Sequence, residues 1–375
     1  MNLYFDNAAT THISENALKE YIRTSEDFFA NPSSVHKPGL NAHKKLDEER
    51  EKIASLLKVK SSSIVFTSGA TESIASVISS LLFTTPGKII ISAIEHEAVS
   101  SWLPLLKQYG WECKELKARN GIISRDDLIA ELTPDTKFIG IMAVNNVTGA
   151  IEPINELVQC VRDYEKTINR KIFFFADSVQ ALGKIEYDLT SLDIDGASFS
   201  AHKINGPRGI GMLYLKNPSS FRPLSTGGGQ ERGKRGGTEN LPAIAAFRVA
   251  MEEWLTDQKK KNETVSEYKL MTINALKELG LEILSPEISS PYILSFASTL
   301  PSEVFTRMLS DKGVYASAGS ACSNNTKGES EKILLRMGRK PKEAKNAVRL
   351  SFSNSTTKED VEALISILKE IVNGK

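Results

Sequence analysis

Two short stretches, KIFFFADSVQ at residues 171–180 and SFSAHK at residues 198–203, decide the predicted fold. The first is a continuous apolar run that ends in the carboxylate of Asp177, and such a run predicts a strand buried on both faces. In the second, Lys203 follows a short apolar run. Strands buried on both faces occur in parallel sheets that helices cover, so the two stretches predict an α/β protein.

A lysine after one buried strand and an aspartate at the end of another meet the chemical needs of a pyridoxal phosphate site. The amine of Lys203 can form a Schiff base with the aldehyde, and Asp177 can keep the pyridine nitrogen protonated so that the ring accepts electrons. A structural interpretation stays open, because His-Lys is a common dipeptide and an aspartate at a strand end is often a helix cap.

Other segments alternate between strand-like and helical patterns over the first 255 residues. Strands are predicted at 3–5, 64–66, 88–92, 137–144, 196–200 and 209–215, and helices at 40–57, 74–82, 154–164 and 241–255. The polar residues just past strand ends are Thr71, His96, Asn146, Asp177, Gln180 and Lys203. Because the carboxyl ends of parallel strands meet at one edge, this pattern predicts a mostly parallel, doubly wound sheet with a single site there.

The turn TSGATES, residues 67–73, joins a predicted strand to a helix. Backbone N–H groups, the helix dipole and the Ser and Thr hydroxyls of such a turn can hold a phosphate. It is not a Walker A motif, since no Gly-Lys-Ser/Thr follows, and Thr or Ser with a nearby Glu is also an ordinary helix-capping pattern.

A second, smaller α+β region is predicted after a boundary near residue 255. Its strands are predicted near 292–297, 314–316 and 347–352, and its last helix at 358–372, with a charged stretch at 257–267.

Charge and hydropathy exclude several classes of partner. Lys and Arg number 47 and Asp and Glu 46 in 375 residues, so no net charge favours nucleic acid or an anionic membrane. No apolar run approaches the roughly 20 residues that a membrane helix needs. Residues 1–6 lack the basic and apolar regions of a signal peptide, so we expect a cytoplasmic location.

The three cysteines have different neighbours. Their odd number argues against a disulfide framework, and no pair has the spacing of metal ligands, so no metal site is predicted. Cys160 in a predicted helix and Cys113 in a predicted strand have the surroundings of buried apolar residues. Cys322 has only small and polar neighbours in SAGSACSNN, residues 317–325, so we expect an exposed, mobile and reactive thiol.

The segment GGGQERGKRGGT, residues 227–238, is a flexible basic loop. It is too short and too isolated for an RGG-type nucleic-acid segment. A loop that faces a phosphate, or one that is ordered at a subunit interface, fits better.

The chain resembles a cysteine desulfurase, a pyridoxal 5'-phosphate enzyme of the class V aminotransferase group. The matching stretches are DNAATT (6–11), NPSSVH (31–36), TSGATES (67–73), EHEAV (95–99), VNN (144–146), ADSVQALGK (176–184), SFSAHKINGPRGIG (198–211), GGGQERGKRGGTEN (227–240), SAGSACS (317–323) and VRLSFS (348–353). The resemblance implies fold type I: a large domain (13–255) with a seven-stranded sheet, and a small domain (1–12 and 256–375) that carries a mobile cysteine loop at about 317–330.

The resemblance also implies a role for each matching residue. Lys203 would be the Schiff-base lysine, Asp177 would pair with the pyridinium nitrogen, and His96 would stack on the ring and move protons. Gln180 and Asn146 would contact the ring hydroxyl or the substrate, and Arg349 would bind the substrate carboxylate, although a surface ion pair is the alternative for that arginine. The phosphate ligands implied are Ala70, Thr71, Ser200 and His202, with Thr238 from the second subunit of a homodimer.

The implied reaction uses Cys322. Its thiolate would attack the sulfur of L-cysteine to give alanine and a Cys322 persulfide, which a protein acceptor for Fe–S cluster assembly or tRNA thiolation would receive. The form SAGSACS resembles the NifS/IscS-like group more than the SufS-like group. Departures from the usual pattern at 73–75, 147–148 and Asn354 lie beside the site.

Two other classes remain open at this stage. One is another class V enzyme, such as an aminotransferase or a selenocysteine lyase; in an aminotransferase the loss of Cys322 would barely matter. The other is a sulfur-carrier scaffold without catalysis, which the presence of Lys203, Asp177 and Arg349 disfavours.

Overall fold

The structure is a computed structural model that describes residues 2–223, 225–318 and 328–374. Its strands, in chain order, are β1 (Leu3–Tyr4), β2 (Ile64–Thr67), β3 (Lys88–Ser92), β4 (Glu112–Leu116), β5 (Ala118–Arg119), β6 (Ile122–Ile123), β7 (Thr136–Gly140), β8 (Phe173–Asp177), β9 (Gly196–Ser200), β10 (Gly211–Leu215), β11 (Glu282–Ile283), β12 (Ile293–Ala297), β13 (Val314–Tyr315), β14 (Ser317–Ala318) and β15 (Ala347–Ser351).

The helices are α1 (Glu15–Asp27), α2 (Lys37–Leu56), α3 (Ala70–Leu81), α4 (Glu97–Ser100), α5 (Leu103–Gln108), α6 (Arg125–Glu131), α7 (Ile154–Ile168), α8 (Leu241–Leu255), α9 (Gln258–Glu278), α10 (Ser302–Asp311), α11 (Glu329–Arg336), α12 (Pro341–Lys345) and α13 (Lys358–Asn373). In the described part of the chain, no helix is both long and apolar enough to cross a bilayer.

A seven-stranded sheet in the order β2-β10-β9-β8-β7-β3-β4 forms the centre of the described fold. Strands β9, β8, β7, β3 and β4 are parallel, whereas β10 runs antiparallel to both β2 and β9. Every residue of β3, β9 and β10 is buried, as expected for strands with helices on both faces. The predicted mostly parallel α/β fold is therefore confirmed.

A smaller sheet in the order β11-β12-β15-β14 is antiparallel. The chain start returns to this region, because β1 pairs in parallel with β13 through Leu3↔Val314 and Tyr4↔Tyr315. Asp6 then forms a bridge to Ser351 at the end of β15. The segment after β1 is thus brought beside the last strand, more than 300 residues further along the chain.

Several predicted boundaries are wrong, and two of the errors concern the site. Helix α3 begins at Ala70 and not at residue 74, so its first turn contains the polar turn itself. Strand β7 ends at Gly140, although Ile141 and Ala143 still donate backbone hydrogen bonds to Phe175 (3.0 Å) and Asp177 (2.8 Å). Sequence patterns miss such ends because side-chain polarity, and not backbone pairing, is what they record.

Other differences lie away from the site. The charged stretch at 257–267 covers the first half of the 21-residue helix α9, which begins at Gln258. The strand predicted at 314–316 is the two-residue β13, and β14 begins beyond it at Ser317. Cys160 is buried in α7 as expected, but Cys113 in β4 is only half-buried. Strand β4 lies at the edge of the sheet, where one side lacks a neighbouring strand.

Candidate active site

The carboxyl ends of the central strands open into a cavity of about 420 Å³, a size typical of a small-molecule site. Its lining includes the predicted site residues Ala70, Thr71, His96, Asn146, Asp177, Gln180, Ser200, His202 and Lys203. The structure therefore brings together nine residues that are up to 133 positions apart in the chain, counting from Ala70 to Lys203. Thr10, Glu72, Met142 and Arg208 also line the cavity and were not predicted.

The start of α3 forms one corner of this cavity, and its chemistry suits an anion. The helix begins at Ala70, so the unpaired N–H groups of its first turn and its positive dipole end face the cavity. A Cβ at Gly211 would lie 2.4 Å from the Phe199 carbonyl oxygen and 2.7 Å from the Gly69 Cα. Only glycine at position 211 permits this close approach, which holds the turn against β9 and β10.

Asp177 ends β8 and is almost fully buried. One oxygen, Oδ1, accepts hydrogen bonds from the Val179 N–H and the Ser198 hydroxyl, both at 3.1 Å. Burial raises the pKa of the Asp177 carboxyl, and the electrostatic interactions with His96 and Lys203 oppose that rise. A cationic partner in the cavity would therefore stabilise the carboxylate further.

Lys203 lies in a short 3₁₀ turn directly after β9. Its Nζ donates hydrogen bonds to the carbonyl oxygens of Ala8 (2.9 Å) and Ala9 (2.7 Å), which belong to the loop after β1. Burial, with the positive charge of Arg349, lowers the pKa of Lys203 to about 8. Near neutral pH a larger fraction of this amine than of an ordinary lysine is thus unprotonated and able to act as a nucleophile.

His96 and Asn146 flank the cavity in different ways. His96 caps α4, and its Nδ1 accepts a hydrogen bond from the Ala98 N–H at 3.0 Å, which leaves Nε2 as the protonated nitrogen of the neutral ring. The Oδ1 atom of Asn146 is buried without a hydrogen-bond partner among the described residues. Its neighbour Asn145 instead binds the backbone of 147 and 148 and is structural.

Gln180 is held by a lysine that was not assigned a role from the sequence. Its Nε2 donates to the Ala8 carbonyl oxygen at 2.9 Å, and its Oε1 accepts from Lys184 Nζ at 2.7 Å. Burial, and then the charges of Lys203 and Arg349, lower the pKa of Lys184 to about 7. In the sequence, Lys184 stands four positions after Gln180 within the motif ADSVQALGK, which could have pointed to it. That spacing does not predict that the lysine is buried.

His202 is a neutral group in this site. Its Nδ1 lies 3.1 Å from the Thr10 hydroxyl oxygen, and burial with the charges of Lys203 and Arg208 lowers its pKa to about 4. A neutral imidazole can still donate one hydrogen bond to an anion.

Two further buried carboxyl groups belong to Glu95 and Glu152. Glu95, directly before His96, accepts a hydrogen bond from the Met142 N–H at 2.7 Å, and Glu152 accepts one from the Ile123 N–H at 2.9 Å. Each retains one oxygen without a partner among the described residues. Burial raises the pKa of both, that of Glu152 to about 8.

Arg349 in β15 does not line the cavity but contacts its wall. Its guanidinium donates to the Asn146 carbonyl oxygen (2.9 Å), to Asp6 Oδ1 (2.8 Å) and to the Ser317 hydroxyl (3.0 Å). It is therefore not the exposed surface ion pair that the sequence left open: its side chain is 10% exposed.

Two predicted residues remain, Thr238 and Cys322. Thr238 is exposed and does not line the cavity, and Cys322 lies outside the described residues. The loop that precedes Thr238 is nevertheless tied to the start of α3, because Arg235 Nε donates to Glu72 at 2.9 Å and Glu72 accepts from the Ser68 N–H at 2.6 Å.

An amine with a lowered pKa and a buried carboxylate at neighbouring strand ends, beside a helix start that can hold a phosphate, match what pyridoxal 5'-phosphate requires of a protein. The unpartnered Asn146 Oδ1 and the glycine-permitted turn at 69–71 also fit such a ligand. Fold and cavity thus define the class of pyridoxal-phosphate-dependent α/β enzymes.

The chain belongs to the aminotransferase class-V family, whose model matches residues 3–364. It is 40% identical to a "NifS/IcsS protein homolog" of Lactobacillus delbrueckii subsp. bulgaricus, with 98% of this chain and 97% of the relative covered. It is 34% identical to a "Cysteine desulfurase IscS" of Dictyoglomus turgidum, with 99% and 94% covered. A solved structure titled "NIFS-LIKE PROTEIN" covers both chains completely, with a TM-score of 0.93 at 33% identity.

Proposed function

We infer that the protein is a cysteine desulfurase that uses pyridoxal 5'-phosphate to remove sulfur from L-cysteine. The observation that carries this conclusion is the buried Lys203 amine with its lowered pKa, which shares a cavity with Asp177 and the start of α3. Relatives similar over nearly the whole chain carry the same activity in their names. The substrate is therefore cysteine, and a sulfur acceptor is required.

The residues present fit the cofactor as follows. Asp177 would pair with the ring nitrogen, Gln180 and Asn146 would contact the ring oxygen or the substrate, and His96 would lie against the ring. The phosphate would be held by Ala70, Thr71, Ser200 and His202. When bound, the cofactor supplies an electron sink for bonds at the substrate carbons. Positive groups around the cavity, of which Arg208 and Lys184 are examples, favour the doubly charged phosphate.

Proton movements in this proposal belong to two side chains. Lys203 holds or releases a proton at Nζ near its pKa of about 8, which suits a group that must act as both acid and base at physiological pH. His96 carries its proton on Nε2 because Nδ1 is engaged by the Ala98 N–H. Arg349 would bind the carboxylate of the amino acid with its planar guanidinium.

Cys322 is proposed as the sulfur acceptor within the enzyme. Its sulfur attacks the substrate sulfur, an S–S bond forms, and the Cβ–S bond breaks with its electron pair remaining on Cβ. A proton then completes the methyl group of alanine. One thiol and one cysteine thus give one persulfide and one alanine, without an external oxidant.

The proposed enzyme also has a sulfur acceptor, a second subunit and two domains. The persulfide sulfur passes to a protein acceptor, either an Fe–S scaffold or a tRNA-thiolation protein. The enzyme is a homodimer in which Thr238 reaches the phosphate of the partner subunit. The chain divides into a large domain at 13–255 and a small one made of 1–12 and 256–375. A cytoplasmic location stays a prediction from the sequence.

The test measures alanine and sulfide from L-cysteine in the presence of a thiol reductant. The wild type and the control Cys113→Ala, which removes a half-buried thiol, should release both products in equal amounts. Cys322→Ala should release neither. If the wild type releases neither product, the desulfurase is wrong, and if Cys322→Ala reacts as fast as the wild type, another class V activity without a cysteine step is favoured.

A further inference from the structure

The guanidinium of Arg349 is already engaged by a carboxylate of its own chain. Its two NH2 protons go to Asp6 Oδ1 at 2.8 Å and to the Ser317 hydroxyl at 3.0 Å. One NH1 proton goes to the Asn146 carbonyl oxygen at 2.9 Å. Among the described residues Nε has no partner, so the protons that remain are the one on Nε and the second one on NH1.

A carboxylate that binds a guanidinium through two parallel hydrogen bonds can use only two pairs of donor nitrogens, each called a fork here. One fork uses Nε and NH2, and the other uses NH1 and NH2. Both forks need a proton on NH2, and both NH2 protons are taken. A substrate carboxylate can therefore reach the two-bond geometry only if Asp6 or Ser317 gives up its hydrogen bond.

We propose that Asp6 is a resident counter-ion of Arg349, which the carboxylate of the amino-acid substrate displaces. This inference rests on the proposed function, in which Arg349 binds that carboxylate. It assigns Asp6 a part in substrate selection, since an amine without a carboxylate has nothing to exchange for it.

Charge and position identify Asp6, rather than Ser317, as the group that leaves. Two carboxylates on one guanidinium repel each other, whereas a neutral hydroxyl beside the incoming anion does not. The Asp6 side chain is 24% exposed, so its carboxylate can rotate away from Arg349 into solvent. The Arg349 side chain is only 10% exposed and keeps its position. Ser317 is held by its backbone, because β14 pairs with β15 at Ser317↔Arg349.

The backbone around Asp6 has anchors of its own that do not involve Arg349. Asn7 Nδ2 donates to the Ser351 carbonyl oxygen at 2.9 Å, and the Ala8 N–H donates to the Ser351 hydroxyl at 2.8 Å. The carbonyl oxygens that hold Lys203 follow directly at Ala8 and Ala9. The side chain of Asp6 can thus leave Arg349 while the loop that holds Lys203 keeps its place.

The experiment compares two ligands that differ only by the carboxylate. The cofactor-loaded protein is titrated with L-alanine and with ethylamine, and binding is followed by the absorbance of the bound cofactor. In Asp6→Asn we expect the dissociation constant of L-alanine to fall roughly three- to tenfold, the range for one charge-assisted hydrogen bond at a partly exposed site. Ethylamine should bind unchanged, and it also controls for any effect of Asp6 on Lys203.

Two further variants separate the possible failures. Ser317→Ala frees an NH2 proton without removing a charge, so L-alanine should bind within about twofold of the wild type. Arg349→Met removes the charge and all the hydrogen-bond donors of the guanidinium, so it should abolish the preference for L-alanine over ethylamine. If that preference survives, the carboxylate clamp itself is wrong and the displacement with it. If the preference is lost but Asp6→Asn binds L-alanine no more tightly than the wild type, only the displacement is wrong, and weaker binding would make Asp6 a positioning residue.

The cofactor-free proteins provide a second readout that does not depend on ligand binding. Loss of the Asp6–Arg349 ion pair should lower the thermal midpoint of Asp6→Asn slightly. Circular dichroism that matches the wild type would show that the variant keeps its fold. An unchanged midpoint together with unchanged L-alanine binding would contradict a stable pair in solution.

Discussion

Replacement of Lys184 by methionine should change how the stability of the cofactor-free protein depends on pH. The lysine is fully buried and has a pKa of about 7, against an ordinary value of 10.5. Between these values the unfolded chain binds a proton at Lys184 that the folded chain does not, so the free energy of unfolding of the wild type rises with pH. Below about pH 7 both states are charged, and this contribution to the slope disappears.

The size of the effect follows from the shift of the Lys184 pKa. At 1.36 kcal/mol per pKa unit, the full shift corresponds to about 5 kcal/mol, of which about 3 kcal/mol falls between pH 7 and pH 9.5. Lys184→Met keeps the length and apolar stem of the side chain but cannot titrate. We therefore expect the difference in unfolding free energy, wild type minus variant, to increase by about 3 kcal/mol over that range.

Urea unfolding at pH 7, 8 and 9.5 measures this difference directly. The matched control is Lys44→Met, because Lys44 is 80% exposed and lies 3.9 Å from its nearest partner, Glu48. Its profile should run parallel to that of the wild type. Parallel profiles for Lys184→Met as well would refute the reasoning, since they would mean that Lys184 keeps an ordinary pKa in the folded protein.

Two further predictions concern buried charges outside the cavity. Burial raises the pKa of Glu152 to about 8, so between about pH 4.5 and 8 the folded protein binds a proton there that the unfolded chain does not. In urea unfolding, the difference in unfolding free energy, Glu152→Gln minus wild type, should therefore increase by about 2 to 3 kcal/mol between pH 5 and pH 7. A constant difference would contradict a buried, protonated carboxyl. The guanidinium of Arg50, which is 4% exposed, donates hydrogen bonds of 2.7 Å to both carboxylate oxygens of Glu231. Arg50→Met leaves that buried carboxylate without its partner, so it should lower the unfolding free energy by about 3 to 5 kcal/mol. The double variant with Glu231→Gln should recover part of that loss. A double variant less stable than Arg50→Met would show that the uncompensated charge is not the cause.

Two buried lysines in and beside the cavity give a physical reason for the kind of ligand that it would bind. Lys203 and Lys184 have lowered pKa values because burial and the neighbouring charge of Arg349 both disfavour another proton. A phosphate and a substrate carboxylate would each reverse part of that repulsion. The site is thus complementary to a ligand with two anionic groups.

Sequence patterns alone were sufficient for a mostly parallel central sheet and for six of the residues that line the cavity. Buried strands such as β8 read as continuous apolar runs, and the polar residues that follow them must meet at one edge because the strands are parallel. Asp177, His96 and Lys203 could therefore be named without coordinates. The motifs that resemble those of cysteine desulfurases also predicted the class V aminotransferase family. The family model that matches residues 3–364 confirms this prediction.

Only the tertiary structure decided which groups bind these site residues and how far their pKa values are shifted. The ion pair of Asp6 and Arg349 joins positions that are 343 residues apart in the chain. The carbonyl oxygens that accept hydrogen bonds from Lys203 belong to Ala8 and Ala9, near the start of the chain. Lys184 and Glu152 are ordinary ionisable residues in the sequence. In the fold, burial shifts both pKa values toward neutral pH, and the charges of Lys203 and Arg349 add to the shift of Lys184. Long-range contacts and desolvation depend on how the whole chain packs, whereas strand patterns depend only on neighbouring residues.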